Sequence, residues 1–306
     1  MKRKFSQIIR QIAREILPNF ALRGIRYLIY RNEDPVQVRE DISSLIETHN
    51  IKLKRESIVI GNGPSLKHSL QNNLGFFANK TIFCTNNFSS SEVFEIIKPH
   101  FCVFHDNDFW NINASPERQD YAIQVYEQLK VKVKWPMFIL MPTWAREWNW
   151  FLGLPDENSN IVLAYYNSNQ NGDAPEIRHS LYKQNMAMPN CNTVVHAATF
   201  LSLNLGCTTT YLMGADLSMH ENIFVNDDNI LCIYDRHFYD DKEISFVPFV
   251  KGEHTDVTYN AYETFLGYAH MHKGFMEIEE YARYLGSKIY NASHKSYIDA
   301  FARYKL

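Results

Sequence analysis

The stretch Gly61–Ser65 carries the sharpest chemical signal in the sequence. It reads Gly-Asn-Gly-Pro-Ser and stands between an apolar run and a helical pattern. Glycine tolerates positive φ and lets a backbone approach a ligand closely, while Pro64 and Ser65 suit the first turn of a helix. The free N–H groups and the positive dipole end of a helix N-terminus attract phosphate. The third glycine of a dinucleotide-binding fingerprint and the Gly-Lys-Ser/Thr end of a P-loop are both missing, which disfavours NAD binding and P-loop ATPase chemistry.

Polar residues also follow the predicted strands, at the point where each strand ends. The residues concerned are Asn62, Asn86, Asp106 and Asp216, with Asn192 and Thr193 at the start of a later helix. In an open parallel sheet, ligands bind outside the carboxyl ends of the strands, so we expect these side chains to share one site. Asn and Asp are also common in turns and helix caps, which is the structural alternative.

Asp106-Asn107-Asp108 spells the acidic D-x-D pattern of metal-dependent sugar transferases. Two carboxylates at this spacing can hold Mg²⁺ or Mn²⁺ against a diphosphate. Because so short a pattern also arises by chance, we expect that no cofactor is required, and Mg²⁺ at Asp106 and Asp108 is the alternative.

The elements that must position these residues alternate along the chain. Buried-strand patterns cover 56–60, 81–85, 101–104, 138–141, 210–213 and 288–290, and helical patterns cover 35–50, 66–74, 91–97, 116–130, 193–205, 259–285 and 297–304. The segment 142–190 has little periodicity, and 218–256 is predicted to be a long loop or lid. The alternation predicts an α/β Rossmann-like parallel sheet with helices on both faces.

The composition is that of a globular chain. Of the 306 residues 45% are hydrophobic, which excludes disorder as the main state, and no apolar run is long enough for a transmembrane helix. The five cysteines are scattered and never form a CxxC pair, which favours a reducing compartment and disfavours structural zinc.

Charge is concentrated at the start of the chain. Residues 1–31 carry a net charge of +7, and the rest carries −10. Apolar residues recur there at helical spacing between the arginines, at Phe5, Ile8, Ile9, Ile12 and Ile16. We therefore expect a basic amphipathic segment over 1–34, which docks on an anionic membrane surface, on a partner or on its own domain, and a single catalytic domain over 35–306. The acidic body disfavours nucleic acid as a partner.

Five segments together resemble two related bacterial groups. The segments are Ile60–Leu66, Cys84–Phe88, Asn192-Thr193, Leu205–Asp216 and Lys288–Ser293. The first group is the small CMP-sialic acid-dependent sialyltransferases that build lipooligosaccharide. The second is the MptE-like family, which includes a pterin diphosphokinase. The resemblance spans about 55–300 with gaps, and it departs at Asp106, where the sialyltransferases place Asn.

The resemblance implies a glycosyltransferase. It would move an acid sugar (sialic acid, Kdo or another nonulosonic acid) from a CMP-activated donor to a bacterial surface glycan or glycolipid, by inverting displacement. The implied donor-binding residues are Gly61, Asn62, Gly63, Pro64, Ser65, Asn86, Asp106, Asn192, Thr193, Gly214 and Asp216. The alternatives are an MptE-like diphosphokinase that uses ATP and Mg²⁺, and a non-catalytic nucleotide-binding scaffold.

Two histidines are candidates for the general base. His237, in Arg236–Asp240, resembles a motif of animal sialyltransferases, and His254 stands after the predicted lid and before a helix, as the base does in the small bacterial enzymes. Histidine suits this role because its pKa lies near the working pH. We expect a cytoplasmic enzyme that the basic segment 1–31 attaches to the inner face of the membrane.

Overall fold

The computed structural model of the chain describes residues 45–49, 51–170, 175–234, 246–251 and 256–306. The basic segment 1–34 and both candidate bases, His237 and His254, lie outside the described residues. Of the predicted helix over 35–50 only one helical turn, at 45–48, falls among them. Within the described residues, no helix is both long enough and apolar enough to cross a membrane.

An eight-stranded parallel sheet forms the centre of the fold, in the order β11-β10-β6-β1-β2-β3-β4-β5. Its strands are β1 (Glu56–Ile60), β2 (Thr81–Thr85), β3 (Phe101–Val103), β4 (Met137–Pro142), β5 (Ile161–Tyr166), β6 (Thr209–Met213), β10 (Lys288–Asn291) and β11 (Ala302–Arg303). A second, antiparallel sheet contains β7 (Ile223–Val225), β8 (Leu231–Ile233) and β9 (Val247–Pro248).

Helices connect the strands and cover both faces of the large sheet. They are α1 (Leu66–Asn73), α2 (Phe94–Ile97), α3 (Pro116–Lys132), α4 (Leu154–Glu157), α5 (Pro175–Lys183), α6 (Val194–Asn204) and α7 (Ala261–Leu285). Successive residues of a strand point to opposite faces, so Val59 packs into the core layer that contains α6 and α7, whereas Ile58 and Ile60 pack into the layer with α1 and α3. The predicted fold class, a Rossmann-like α/β sheet with helices on both faces, is confirmed.

Most of the strands that the sequence predicts are buried on both faces. A strand covered on both sides has a near-continuous apolar run, and β1 and β2, which contain Ile58–Ile60 and Ile82–Cys84, are buried at nearly all of their positions. The edge strand β5, by contrast, has both buried and partly exposed positions and lies in the segment 142–190, where the sequence has little periodicity and no strand was predicted. The structure adds a strand there, at Ile161–Tyr166, whose β-branched and aromatic residues are strand formers.

Two other expectations are corrected by the structure. The predicted helix over 297–304 is absent, although Ile298 and Phe301 are buried at helical spacing. Instead β11 adds a last parallel strand to the edge of the sheet, where Ala302 pairs with Tyr290. The predicted loop over 218–256 contains β7, β8 and β9, three strands too short to produce a clear alternating pattern.

Candidate functional site

The order of the strands reverses between β1 and β6. From β1 the chain runs outward to β5, and it then returns so that β6 pairs with the other side of β1. Ligands of open α/β sheets bind at this kind of reversal, outside the carboxyl ends of the strands. A cavity of about 320 Å³ opens there.

Nine of the eleven predicted donor-binding residues line this cavity. They are Asn62, Gly63, Pro64, Asn86, Asp106, Asn192, Thr193, Gly214 and Asp216. Gly61 and Ser65 are not among the lining residues. Apolar side chains, including Val194, Met271 and Phe275, form much of the remaining wall. The structure thus brings together four strand ends and the start of α6.

The loop after β6 packs so closely against the loop after β1 that Gly61 and Gly63 have no room for a side chain. A Cβ atom on Gly61 would lie 2.6 Å from the backbone oxygen of Gly214, and one on Gly63 would lie 2.6 Å from the Asp216 carboxylate. Of Gly61, Gly63 and Gly214, only Gly214 has a positive φ, of +64°. The expectation of positive φ at Gly61 and Gly63 is therefore wrong, because the close approach that excludes a side chain is to the loop after β6.

Replacing Gly61 with alanine is expected to lower the free energy of unfolding by about 1–3 kcal/mol, since the new methyl group meets backbone that cannot rotate away. Gly75→Ala is the matched control, because a Cβ there has nothing within 4 Å. Urea denaturation of both variants measures the difference. Equal stability of the two variants would contradict this account of the loop.

Asp216 occupies the N-terminus of α1. Its carboxylate accepts hydrogen bonds from the Ser65 N–H at 2.8 Å and from the Ser65 hydroxyl at 2.5 Å. Burial raises the pKa of Asp216, and the two bonds from Ser65 partly offset that rise. Because the N–H groups of Gly61 and Gly63 also bond to the β6 side, the phosphate-binding groups predicted for this loop are largely used within the protein.

Two amide oxygens in the cavity wall have no hydrogen-bond donor. The amide nitrogen of Asn62 donates to the Thr85 carbonyl at 3.0 Å, and that of Asn86 donates to the Asp106 carboxylate. The Oδ1 atoms of Asn62 and Asn86 are both buried without a partner among the described residues. An unpaired buried acceptor is costly, so these two oxygens favour a ligand that brings hydroxyl or amino groups.

The acidic pattern after β3 is divided between two environments. Asp106 lines the cavity and is exposed, whereas Asp108 forms an ion pair with Arg118 at 2.6 Å and is not among the lining residues. Within the described residues, no group of three or more His, Cys, Asp or Glu side chains could hold a metal ion. Of the two carboxylates that the D-x-D pattern would supply to Mg²⁺, only that of Asp106 lines the cavity.

The N-terminus of α6 points to the cavity. Thr193 is the N-cap residue, and its hydroxyl accepts from the Val195 N–H at 3.4 Å. The N–H of Val194, a cavity-lining residue, has no hydrogen-bond partner within the described part of the chain. All eleven residues of α6 are buried, so its dipole acts in a poorly solvated setting.

His196 fixes the start of α6 to α7, and sequence reasoning missed it. The Asn192 N–H donates to Nδ1 at 3.2 Å, so the ring proton is on Nε2, which donates to the Met271 carbonyl at 3.0 Å. A Cβ on Gly274 of α7 would lie 2.8 Å from the ring. The one sequence signal for this contact is the glycine in the middle of the predicted helix. Burial lowers the pKa of His196 to about 3, so the ring is neutral.

No family model matches the chain, and no match was found among curated proteins. Among solved structures, the chain is similar to a MAf glycosyltransferase from Magnetospirillum magneticum AMB-1, with a TM-score of 0.46 and 12% identity. The match covers 83% of this chain and 34% of that one, so the chain spans about a third of the length of that structure.

None of the described residues that line the cavity is a histidine. His272, on α7, follows the lining residue Met271, and the exposed His270 precedes it. His220 packs edge-on against Tyr297, with ring centroids 4.3 Å apart. Among the described histidines, we take these three as the secondary candidates for the base.

Proposed function

We propose that the chain is a glycosyltransferase that transfers an acid sugar from a CMP-activated donor to a glycan or glycolipid acceptor. One observation carries the proposal: the cavity at the strand reversal is lined by the first residues of α6 and by Asn62 and Asn86, whose buried amide oxygens have no donor among the described residues. A nucleotide sugar has the complementary groups, namely hydroxyl and amino donors and a phosphate.

The start of α6 is the proposed phosphate site. The Val194 N–H and the dipole of α6 offer partial positive charge, whereas Asp216 already occupies the corresponding end of α1. Among the described lining residues there is no lysine, arginine or histidine. A single phosphate can be stabilised by hydrogen bonds, whereas a diphosphate needs more positive charge, so the cavity favours CMP over a nucleoside diphosphate.

Asn86 and Asp106 are the proposed contacts for hydroxyl groups of the donor. The two side chains are hydrogen-bonded to each other, and both residues line the cavity, where a carboxylate and an amide can bind hydroxyl groups. Carboxylates at strand ends accept from ribose hydroxyls in other nucleotide-binding sheets. In this proposal Asp106 binds hydroxyl groups of the donor and does not bind a metal ion.

The reaction would be a single inverting displacement at the sugar. A base takes the proton of the acceptor hydroxyl while the bond to CMP breaks, and the start of α6 stabilises the departing phosphate. We assign the base to His254, with His237 as the second candidate. The basic segment 1–31 would hold the enzyme at an anionic membrane, next to lipid-linked acceptors.

CMP is expected to raise the melting temperature without divalent metal, because a ligand that binds only the folded state stabilises it. A thermal-shift series with CMP, CDP, UDP, GDP and ATP, each with and without Mg²⁺, tests this. A shift with ATP and Mg²⁺ alone would favour a diphosphokinase. CMP binding without turnover on any CMP-sugar would favour the scaffold.

Replacing Asn62 with alanine is expected to weaken CMP binding by about 1–3 kcal/mol, since the ligand loses a buried hydrogen bond. Asn73→Ala is the matched control. Each asparagine donates one bond to a backbone carbonyl, at 3.0 Å for Asn62 and 3.2 Å for Asn73, but only Asn62 lines the cavity. Calorimetric titration with CMP compares them, and equal affinities would remove Asn62 from the site.

A further inference from the structure

A second concave site lies at the opposite ends of the strands of the large sheet, away from the functional cavity. It is a groove of about 450 Å³ at the amino ends of β2, β3 and β4, and its wall includes Ile82, His100 and Pro136. The functional cavity is at the carboxyl ends of the same sheet, so the two sites share no residue. The size of the groove is within the range of small-ligand sites.

The charge of this groove is of one sign. Four lysines line it, namely Lys52, Lys54, Lys80 and Lys98, and no carboxylate does so among the described residues. Lys80 is engaged, because its ammonium lies 3.4 Å from the Glu56 carboxylate and 4.3 Å from the centre of the Phe76 ring. The other three lysines are exposed, and they form no ion pair within the described chain.

His100 adds an oriented hydrogen-bond donor. The Ile82 N–H donates to its Nδ1 at 3.1 Å, so the ring proton is on Nε2. Burial and the nearby Lys54 lower the pKa of His100, which favours the neutral ring. The neighbouring wall is held in place by Trp135, whose indole N–H donates to the Pro99 carbonyl at 2.7 Å.

We propose that this groove binds a phosphate group, through the ammonium groups of Lys52, Lys54 and Lys98 and the Nε2–H of His100. A phosphate offers several acceptor oxygens to such a set, and lysine binds it as a point charge. The site is independent of the glycosyltransferase proposal, because it shares no residue with the functional cavity. The phosphate could belong to a soluble ester or to a phospholipid headgroup, and two probes distinguish these sources.

The test uses the full chain and three triple variants. Lys52→Gln/Lys54→Gln/Lys98→Gln removes the charges, and the corresponding Lys→Arg variant keeps them. Lys67→Gln/Lys183→Gln/Lys305→Gln is the control, since it removes equal charge from exposed lysines outside the groove. The probes are inorganic pyrophosphate, by calorimetry, and vesicles of phosphatidylglycerol with phosphatidylcholine, by co-sedimentation. The basic segment 1–31 is the same in every protein, so its own vesicle binding cancels in the comparison.

We expect the groove Gln variant to bind at least one probe about ten-fold more weakly than the parent, in line with the loss of three exposed charges near an anion. The Arg variant and the control should stay close to the parent. Loss for pyrophosphate alone assigns a soluble ester, loss for vesicles alone assigns a headgroup, and loss for both assigns the phosphate group itself. If the groove and control Gln variants bind both probes equally, or if neither probe binds the parent, the proposal fails. CMP binding is measured on the same groove variant and should be unchanged. This measurement separates the outcome for the groove from the outcome for the proposed function.

Discussion

Replacing His254 with alanine is expected to lower the rate of sugar transfer by about 10²–10⁴-fold, the usual contribution of a general base. CMP affinity should change little, because the base acts on the acceptor hydroxyl. The residues that flank 252–255 lead directly into α7, which begins with a capping box at Asn260 and Glu263 and contributes Met271 to the cavity wall. Radiometric transfer assays and CMP titration of the same variant separate rate from binding.

His237→Ala is the matched comparison for this result. If His237 holds the leaving phosphate, its loss should lower both CMP affinity and rate. Should His237→Ala abolish turnover without affecting binding while His254→Ala stays active, the two roles are reversed. Should both variants remain active, His220, His270 and His272 become the candidates, and the assignment to the segment before α7 is wrong.

The sequence predicts the centre of this fold better than its edges, for a physical reason. Strands β1 and β2 are enclosed on both faces, so each contains an uninterrupted apolar run, Ile58–Ile60 and Ile82–Cys84, and the pattern is unambiguous. At the sheet margins burial is partial, and the same short apolar runs are compatible with several structures. Ile298 and Phe301 have the spacing of a helix face, but they are buried in a segment that ends in β11. Pairing with β10 makes the end of this segment a strand and not a helix.

For the site, too, the sequence predicts the features that depend on nearby residues, but not the contacts between residues far apart in the chain. The rule that ligands bind at strand ends places Asn62, Asn86 and Asp106 together from the sequence alone. The partners of these groups could not be predicted, because they are far away along the chain. Asp216 binds Ser65 across 151 positions, and that contact moves the proposed phosphate site from the start of α1 to the start of α6. No local pattern encodes such a contact.

The dependence of stability on pH offers a test of the contact between α6 and α7. The pKa of His196 falls from an unfolded value of 6.5 to about 3 in the folded protein, because the ring is buried. Between these two values the unfolded chain binds a proton that the folded chain does not, so stability is present above pH 6.5 and is lost as the pH falls towards 3. Each pKa unit corresponds to about 1.4 kcal/mol, so the loss amounts to several kcal/mol.

His196→Gln is expected to remove much of this acid sensitivity. The amide can still accept from the Asn192 N–H and donate to the Met271 carbonyl, but it does not titrate. His270→Gln is the control on α7, because that histidine is exposed. Urea denaturation at several pH values between 4 and 8 should give a shallower acid slope for His196→Gln than for the parent or the control, since carboxylates contribute equally to all three. Parallel slopes would mean that His196 binds a proton equally well in the folded and unfolded states, and a buried neutral bridge between the start of α6 and Met271 would then be excluded.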